Sequence, residues 1–187
     1  MSKSLGNIID PQDMTAKYGT DALRFALVFN TAPGTDMALA EDKIKGMKHF
    51  ANKLWNISRF VLGNLNSEIK AELNGITEAD LSILDKLTKT TEKVTTSLET
   101  FQLHEGAQSL YDFVWKEFAD VYVEASKLQL ADENQKENTQ RILLHILIQI
   151  LKLLHPFMPF VTEVIWQELV ELELTDEKLL LVASWPK

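Results

Sequence analysis

Cysteine is absent from this 187-residue chain, so neither a disulfide nor a thiolate metal site can be built from it. Glycine and proline are scarce, at seven and five residues. Turn-rich β structure needs more of both, so the shortage favours long helices. No charged segment followed by an apolar run opens the sequence, and no secretory leader is read there. Long hydrophobic runs are missing too. The longest, around residues 142–154, is broken by His145, Gln149 and Lys152, whereas a bilayer span needs about 20 predominantly apolar residues. These absences describe a cytoplasmic helical protein that does not enter a membrane. A last absence is local. Residues 43–67 contain five Lys and Arg but no Asp or Glu, in a chain whose net charge is −8. Phosphates respond to the nearby field more than to the total, so this basic stretch keeps a nucleic-acid partner open.

What is present fits one or two domains. Hydrophobic residues make up 45% of the chain, and a protein of this size buries roughly 70% of the surface its unfolded chain exposes. Residues 1–9 read as a loop. Asp10-Pro11 reads as a helix start, with Asp capping, Pro at the first helical position and Asp13 favouring the same end. Gly19 closes that helix, Thr20 or Asp21 opens a second over residues 22–29, and residues 30–34 form a turn. A long helix is expected over about residues 41–64, then a loop over 67–76. Thr77 and Asp80 form a capping pair for a helix running to about residue 100. A further helix covers about residues 104–129, and residues 131–137 read as a loop. Asn138 or Thr139 caps the apolar helix that ends at Leu154, before Pro156 and Pro159. The helical spacing of the Phe160, Val161, Val164, Ile165 and Leu169 stripe predicts a last helix over 160–171, and residues 179–183 could form a short extended segment. The sum is an all-α helical bundle of about seven helices.

The helix over residues 43–62 has two unlike sides when wound at roughly 100° per residue. Ile44, Met47, Phe50, Ala51, Leu54, Trp55, Ile57, Ser58, Val61 and Leu62 form one side, expected to be core. Lys45, Lys48, His49, Asn52, Lys53, Asn56, Arg59 and Phe60 form the other. A merely solvated face would carry carboxylates among its cations, and this one has none. Cations suit phosphates, Asn amides suit base edges, and an aromatic on the wet side suits base stacking. Phe60 is the residue that departs most from simple solubilisation, unless a neighbouring helix covers it. The four His show no ligand spacing with one another or with acids, so no metal site is expected.

Three further strings carry a resemblance. Met1-Ser2-Lys3-Ser4-Leu5-Gly6-Asn7, followed by Asp10-Pro11 and Tyr18-Gly19-Thr20-Asp21-Ala22-Leu23-Arg24, resembles the Lys-Met-Ser-Lys-Ser ATP loop of class I aminoacyl-tRNA synthetases and the helices behind it, without the first Lys. Phe50-Ala51-Asn52-Lys53-Leu54-Trp55-Asn56, with Ser58-Arg59-Phe60-Val61-Leu62, and Leu154-His155-Pro156-Phe157-Met158-Pro159-Phe160-Val161-Thr162-Glu163 are similar to valyl-tRNA synthetases more than to isoleucyl or leucyl ones. The resemblance covers nearly the whole chain. It implies residues 1–38 as a remnant of the catalytic ATP loop with its connecting helices, and residues 39–187 as an anticodon-binding helical bundle. It also implies that Met1, Ser2, Lys3 and Ser4 belong to the ATP loop, with Lys3 as the catalytic lysine that meets the developing pyrophosphate charge. Lys45, Lys48, Asn52, Lys53, Asn56, Arg59 and Phe60 become the expected tRNA contacts. ATP with Mg and valine would enter only through a catalytic domain, and the partner would be the anticodon stem-loop of a valine isoacceptor. Without the nucleotide-binding sheet, this stretch alone is expected neither to hold ATP nor to activate an amino acid.

Two departures from the family bear on affinity. Residues 80–86 lack the Arg and Trp usual at that helix, and the sequence stops at Trp185-Pro186-Lys187, where valyl enzymes normally continue into a coiled coil. The alternatives are an isoleucyl- or leucyl-type synthetase portion and a non-catalytic helical protein-interaction module.

Overall fold

Asp10 accepts a hydrogen bond from the Gln12 N–H at 2.8 Å, and Pro11 occupies the first turn, so α1 (Pro11–Tyr18) starts where a side-chain cap and a preset φ coincide. Its end is equally local: Gly19 takes φ 91°, a conformation that side chains with a Cβ rarely adopt, and α2 (Thr20–Val28) leaves from it. The computed structural model describes residues 9–31, 33–34, 39–65 and 76–186. The ATP-loop residues Met1, Ser2, Lys3 and Ser4, and most of the expected 67–76 loop, lie outside them.

The remaining elements are α3 (Glu41–Gly63), α4 (Glu78–Glu99), α5 (Leu103–Asp112), a π-helical segment (Phe113–Tyr122), α6 (Val123–Leu130), α7 (Lys136–Leu154) and α8 (Pro159–Glu171). A short 3₁₀ turn, Leu180–Val182, follows. No strand occurs among the described residues, and the fold is the expected all-α bundle. α7 is central. Its buried residues include Ile142, Leu143, Ile146, Leu147, Ile150, Leu151, Leu153 and Leu154, and it packs against α3, α4, α5, α6 and α8.

An aromatic seam joins the N-terminal helices to this bundle. Phe25 of α2 is fully buried; its ring centroid lies 5.7 Å from Phe29, 5.3 Å from Phe50 of α3 and 6.1 Å, edge-on, from Phe157. Tyr111 of α5 extends the seam, 5.0 Å from both Phe29 and Phe50, and Trp115 follows at 5.6 Å. Each such pair adds about 0.5–1.5 kcal/mol beyond the area it buries.

A second, polar tie closes the opposite side. Thr77 and Asp80 form the expected capping box: Thr77 N–H donates to Asp80 Oδ2 at 2.9 Å, and Asp80 N–H to Thr77 Oγ1 at 3.2 Å. Asp80 is fully buried, and its other oxygen accepts from the Tyr122 hydroxyl at 2.7 Å and from Gln129 Nε2 at 3.2 Å. A local cap thus becomes the junction of α4, the π segment and α6. Burial, and then the Asp80 carboxylate, push the Tyr122 phenol far above its ordinary range, so it stays a donor.

Three local expectations are corrected, and the structure fixes the face that α8 buries. Residues 103–130 form one rod, but its middle is π-helical, and Phe113 with Phe118 and Val114 with Ala119 are buried at a spacing of five. The wider winding turns Val121 outward and Tyr122 inward to Asp80. α7 begins at Lys136, not at Asn138 or Thr139, both of which are buried inside the helix. Asp132 organises the preceding turn, accepting from Asn134 N–H and Gln135 Nε2. The buried face of α8 is Thr162, Ile165, Trp166 and Leu169, while Phe160 and Val164 are exposed. Thr162 can join the core because its hydroxyl is satisfied within the helix, donating to Met158 O at 2.9 Å. Residues 179–183 are not an extended segment. Leu180 turns inward, its N–H donating to the Glu163 carboxylate, and the chain wraps around it.

Phe25→Ala removes the ring at the centre of the seam, and a loss of about 3–5 kcal/mol in urea unfolding is expected. Tyr122→Phe strips one donor from a buried carboxylate that keeps others, and a smaller loss of about 1–3 kcal/mol is expected by the same measurement.

Candidate nucleic-acid interface

α3 is 23 residues long, about 34 Å at roughly 1.5 Å per residue. Its apolar face behaves as the sequence requires: Ile44, Met47, Phe50, Leu54, Ile57, Ser58 and Val61 are buried. The outer face carries Lys45, His49, Asn52, Asn56 and Arg59, all exposed and spaced by three or four residues along one stripe. The Arg59 side chain makes no hydrogen bond or ion pair among the described residues. The stripe from Lys45 to Arg59 is about 21 Å long by the same rise.

The other expected contacts are placed differently. Lys48 is half-buried; its ammonium donates to Lys17 O at 3.1 Å and lies 5.8 Å from the Tyr18 ring centroid. Lys53 is paired with Asp120 at 2.9 Å and sits 5.3 Å from the Trp115 ring centroid, so it holds α3 to the π segment before it meets any ligand. Phe60 corrects the expectation of an aromatic platform on the wet side. It is half-buried and packed against the core, at the edge of the stripe. Its helical position is right; a neighbouring element covers the ring.

Aromatic surface beside the stripe comes from elsewhere. A groove of about 350 Å³ opens between the α1–α2 corner, α3 and the start of α8. Tyr18, Lys48, Ala51, Asn52, Trp55, Phe160, Val161 and Val164 line it. Asn52 therefore belongs both to the polar stripe and to the groove. Trp55 is half-buried where the sequence placed it in the core, and Phe160 is 60% exposed. A helical wheel that admits Thr162 to the apolar face would have turned Phe160 and Val164 outward.

Asp21 fixes the geometry of this groove. It is buried on α2, and its carboxylate accepts from the Phe160 N–H at 3.3 Å and the Val161 N–H at 2.6 Å. The first turn of α8 is thereby capped across 140 residues of sequence. Burial nevertheless holds the Asp21 carboxyl above its ordinary range, against the opposing pull of the two backbone donors. Nearby, His155 Nδ1 lies 2.9 Å from Thr162 Oγ1, and burial lowers its pKa. This corner is structural, as its Pro residues indicate. Among the described residues no group of His, Asp and Glu is arranged to hold a metal ion, and no helix is long and apolar enough to cross a membrane.

The family of anticodon-binding domains of tRNA ligases matches residues 80–187, more than half of the chain. The chain belongs to that family. The class I tRNA synthetases of the isoleucine, leucine, methionine and valine type match residues 1–40. The chain is 45% identical over its whole length to the valine–tRNA ligase of Bacillus cereus, and equally to that of Pseudothermotoga lettingae. It spans about a fifth of the length of these curated relatives, 21% in each case. Two solved structures share the fold. The LeuRS of Agrobacterium radiobacter, in a ternary complex with tRNA and LeuAMS, superposes with a TM-score of 0.70 at 22% identity, over all of this chain and 22% of that one. The Mycobacterium tuberculosis methionyl-tRNA synthetase, in complex with methionyl-adenylate, gives 0.75 at 21% identity, over 89% of this chain and 35% of that one. The anticodon-binding bundle accounts for the all-α architecture, and the class I match accounts for the Tyr18-Gly19-Thr20-Asp21-Ala22-Leu23-Arg24 string on α1 and α2.

The Asp21 cap has a pH signature. A carboxyl whose pKa is raised on folding contributes most to stability below its unfolded value, and that contribution is lost as pH rises through the folded value. Relative to Asp21→Asn, wild-type stability in urea unfolding is expected to be most favourable at low pH and to decline as pH rises through and above the ordinary carboxylate range. A difference that does not change with pH would contradict this.

Proposed function

We propose that this chain is the anticodon-binding portion of a longer valine–tRNA ligase, and that the outer face of α3 meets the anticodon stem-loop of a valine tRNA. The carrying observation is the stripe of Lys45, Asn52, Asn56 and Arg59, exposed on a helix without outward carboxylates after its first turn, in a chain of net charge −8. Arg59 and Lys45 supply charge to phosphates, and the two Asn amides reach base edges. Lys48 and Lys53 add field from the margins while fastening α3 to its neighbours. Phe60 contributes at most its exposed edge.

In the complete enzyme this reading assigns residues 1–38 to the ATP loop and its connecting helices and residues 39–187 to the anticodon-binding bundle. Lys3, with Met1, Ser2 and Ser4, would then face ATP and its Mg, stabilising the charge that develops on pyrophosphate as valine is activated. The setting is the cytoplasm, where charged tRNA is consumed. Valine rather than isoleucine or leucine rests on the 45% identity to valine–tRNA ligases along the full chain.

Fluorescence anisotropy with a labelled valine anticodon stem-loop tests the assignment. Binding is expected to weaken with salt. Arg59→Ala is expected to lower affinity at every salt concentration and to reduce the slope of log affinity against log salt by about 1, the loss of one phosphate contact. Exchanging the anticodon should weaken binding further in proportion to the bases read. Equal affinity for any stem-loop, with no effect of Arg59→Ala, would exclude an anticodon-reading role.

A further inference from the structure

The groove between α1–α2, α3 and α8 is not used by the stripe alone. Its floor and walls are apolar and aromatic: Tyr18, Trp55, Phe160 and Val164. Phe160 is 60% exposed and Val164 51% exposed, although both sit on the helix of a well-packed bundle. One amide, Asn52, and one ammonium, Lys48, stand at its edge. Among the described residues one carboxylate, Asp21, belongs to the lining; it is buried, and its two oxygens accept from the Phe160 and Val161 backbone N–H groups, which directs its lone pairs into the fold. Ring faces for stacking, a donor–acceptor amide at the rim and a cation at the mouth are the set that recognises an unpaired nucleobase with its phosphate.

We propose that this groove is a second RNA subsite, in which an unpaired nucleobase inserts against Phe160 and Trp55 while Asn52 meets its edge and Lys48 its phosphate. The inference rests on the assignment of α3 to RNA and extends it to α8, which that assignment leaves idle. Position supports it. Asn52 lies seven residues from Arg59 on the same stripe, about 10 Å along the helix, so one short single-stranded segment can reach both. Charge complementarity chooses RNA over an apolar protein segment as occupant: Lys48 lines the groove, Lys45 and Arg59 stand exposed on the same helix, and α3 carries no carboxylate beyond Glu41 and Asp42. Phe60, half-covered, leaves the stacking role to rings that are open.

Phe160→Ala, Phe160→Tyr and Arg59→Ala separate the two readings in the same anisotropy titration with the labelled valine anticodon stem-loop. Exposure of Phe160 leaves folding intact, which circular dichroism and the unfolding midpoint verify. Phe160→Ala is expected to weaken binding by about 5- to 100-fold, the range for loss of one stacking ring. Phe160→Tyr keeps the ring and should stay within about 3-fold of wild type by the same reasoning. The salt slope should be unchanged in both, since no charge is removed. If Arg59→Ala weakens binding and Phe160→Ala does not, the subsite is overturned and the groove is left to an apolar protein partner, while the α3 assignment stands. If wild type fails to bind the stem-loop, or neither substitution matters, both readings fall. A duplex without unpaired bases should be indifferent to Phe160→Ala; equal weakening there would also overturn base insertion.

Discussion

Burial of the Phe25 ring is the contact that turns a row of helices into this molecule. α1 is eight residues long and buries nothing of its own, and α2 adds only nine. Helices this short are not stable alone in water. They persist because Phe25 inserts between Phe50 of α3 and Phe157 of the corner before α8, and because Phe29 continues to Tyr111. Once α2 is held there, Asp21 is carried to the first turn of α8 and Lys17 to Glu41 of α3. The groove beside α3 exists as a consequence, since its walls come from α1–α2, α3 and α8, which this seam and the Asp21 bonds hold together.

The same arrangement resolves an apparent conflict of charge. An acidic protein repels a polyanion on average, yet a helix whose carboxylates are confined to its first turn, Glu41 and Asp42, presents a positive field along the rest of its outer face. Those two acids are not wasted. They favour the helix N-terminus through its dipole, and Glu41 also accepts from Tyr18 and Lys17. Negative charge is thus placed where the fold uses it. Lys53 shows the reverse allocation, a cation of the stripe spent on Asp120 and the Trp115 ring.

How much of this was legible in the sequence follows from how local each cause is. The Asp10-Pro11 start, the Gly19 stop and the Thr77–Asp80 box each involve residues within four positions, and all three stand where the sequence puts them. The core face of α3 was legible because its period is regular. The π segment was not, because its register is chosen by Tyr122 reaching Asp80, 42 residues away, although the Phe113–Phe118 spacing of five was visible. The face that α8 buries was not legible for a related reason. Hydrophobicity ranked Phe160 and Val164 above Thr162, but Asp21, invisible to any local pattern, anchors the first turn of α8 in an orientation that turns Thr162 inward. Lys45, Asn52, Asn56 and Arg59 emerged as read, on the surface, whereas the state of Phe60 depended on neighbours that no wheel contains.

The displacement of the aromatic from Phe60 to Trp55 and Phe160 changes what controls recognition in the proposed reading. A ring, amides and cations all on one helix would form a rigid reader, its geometry set by helical rise alone. With amides and cations on α3 and an open ring on α8, the spacing of the two groups is a tertiary quantity. It depends on the carboxylate of Asp21 and on the packing of Phe25 against Phe157, which hold α8 at a fixed offset from α3. Both of these belong to α2, which lies within the segment matching class I synthetases, residues 1–40. A shift of α2 relative to α3 would therefore alter the groove before it altered the stripe, and contacts made by the ring would respond while contacts made by Arg59 would not.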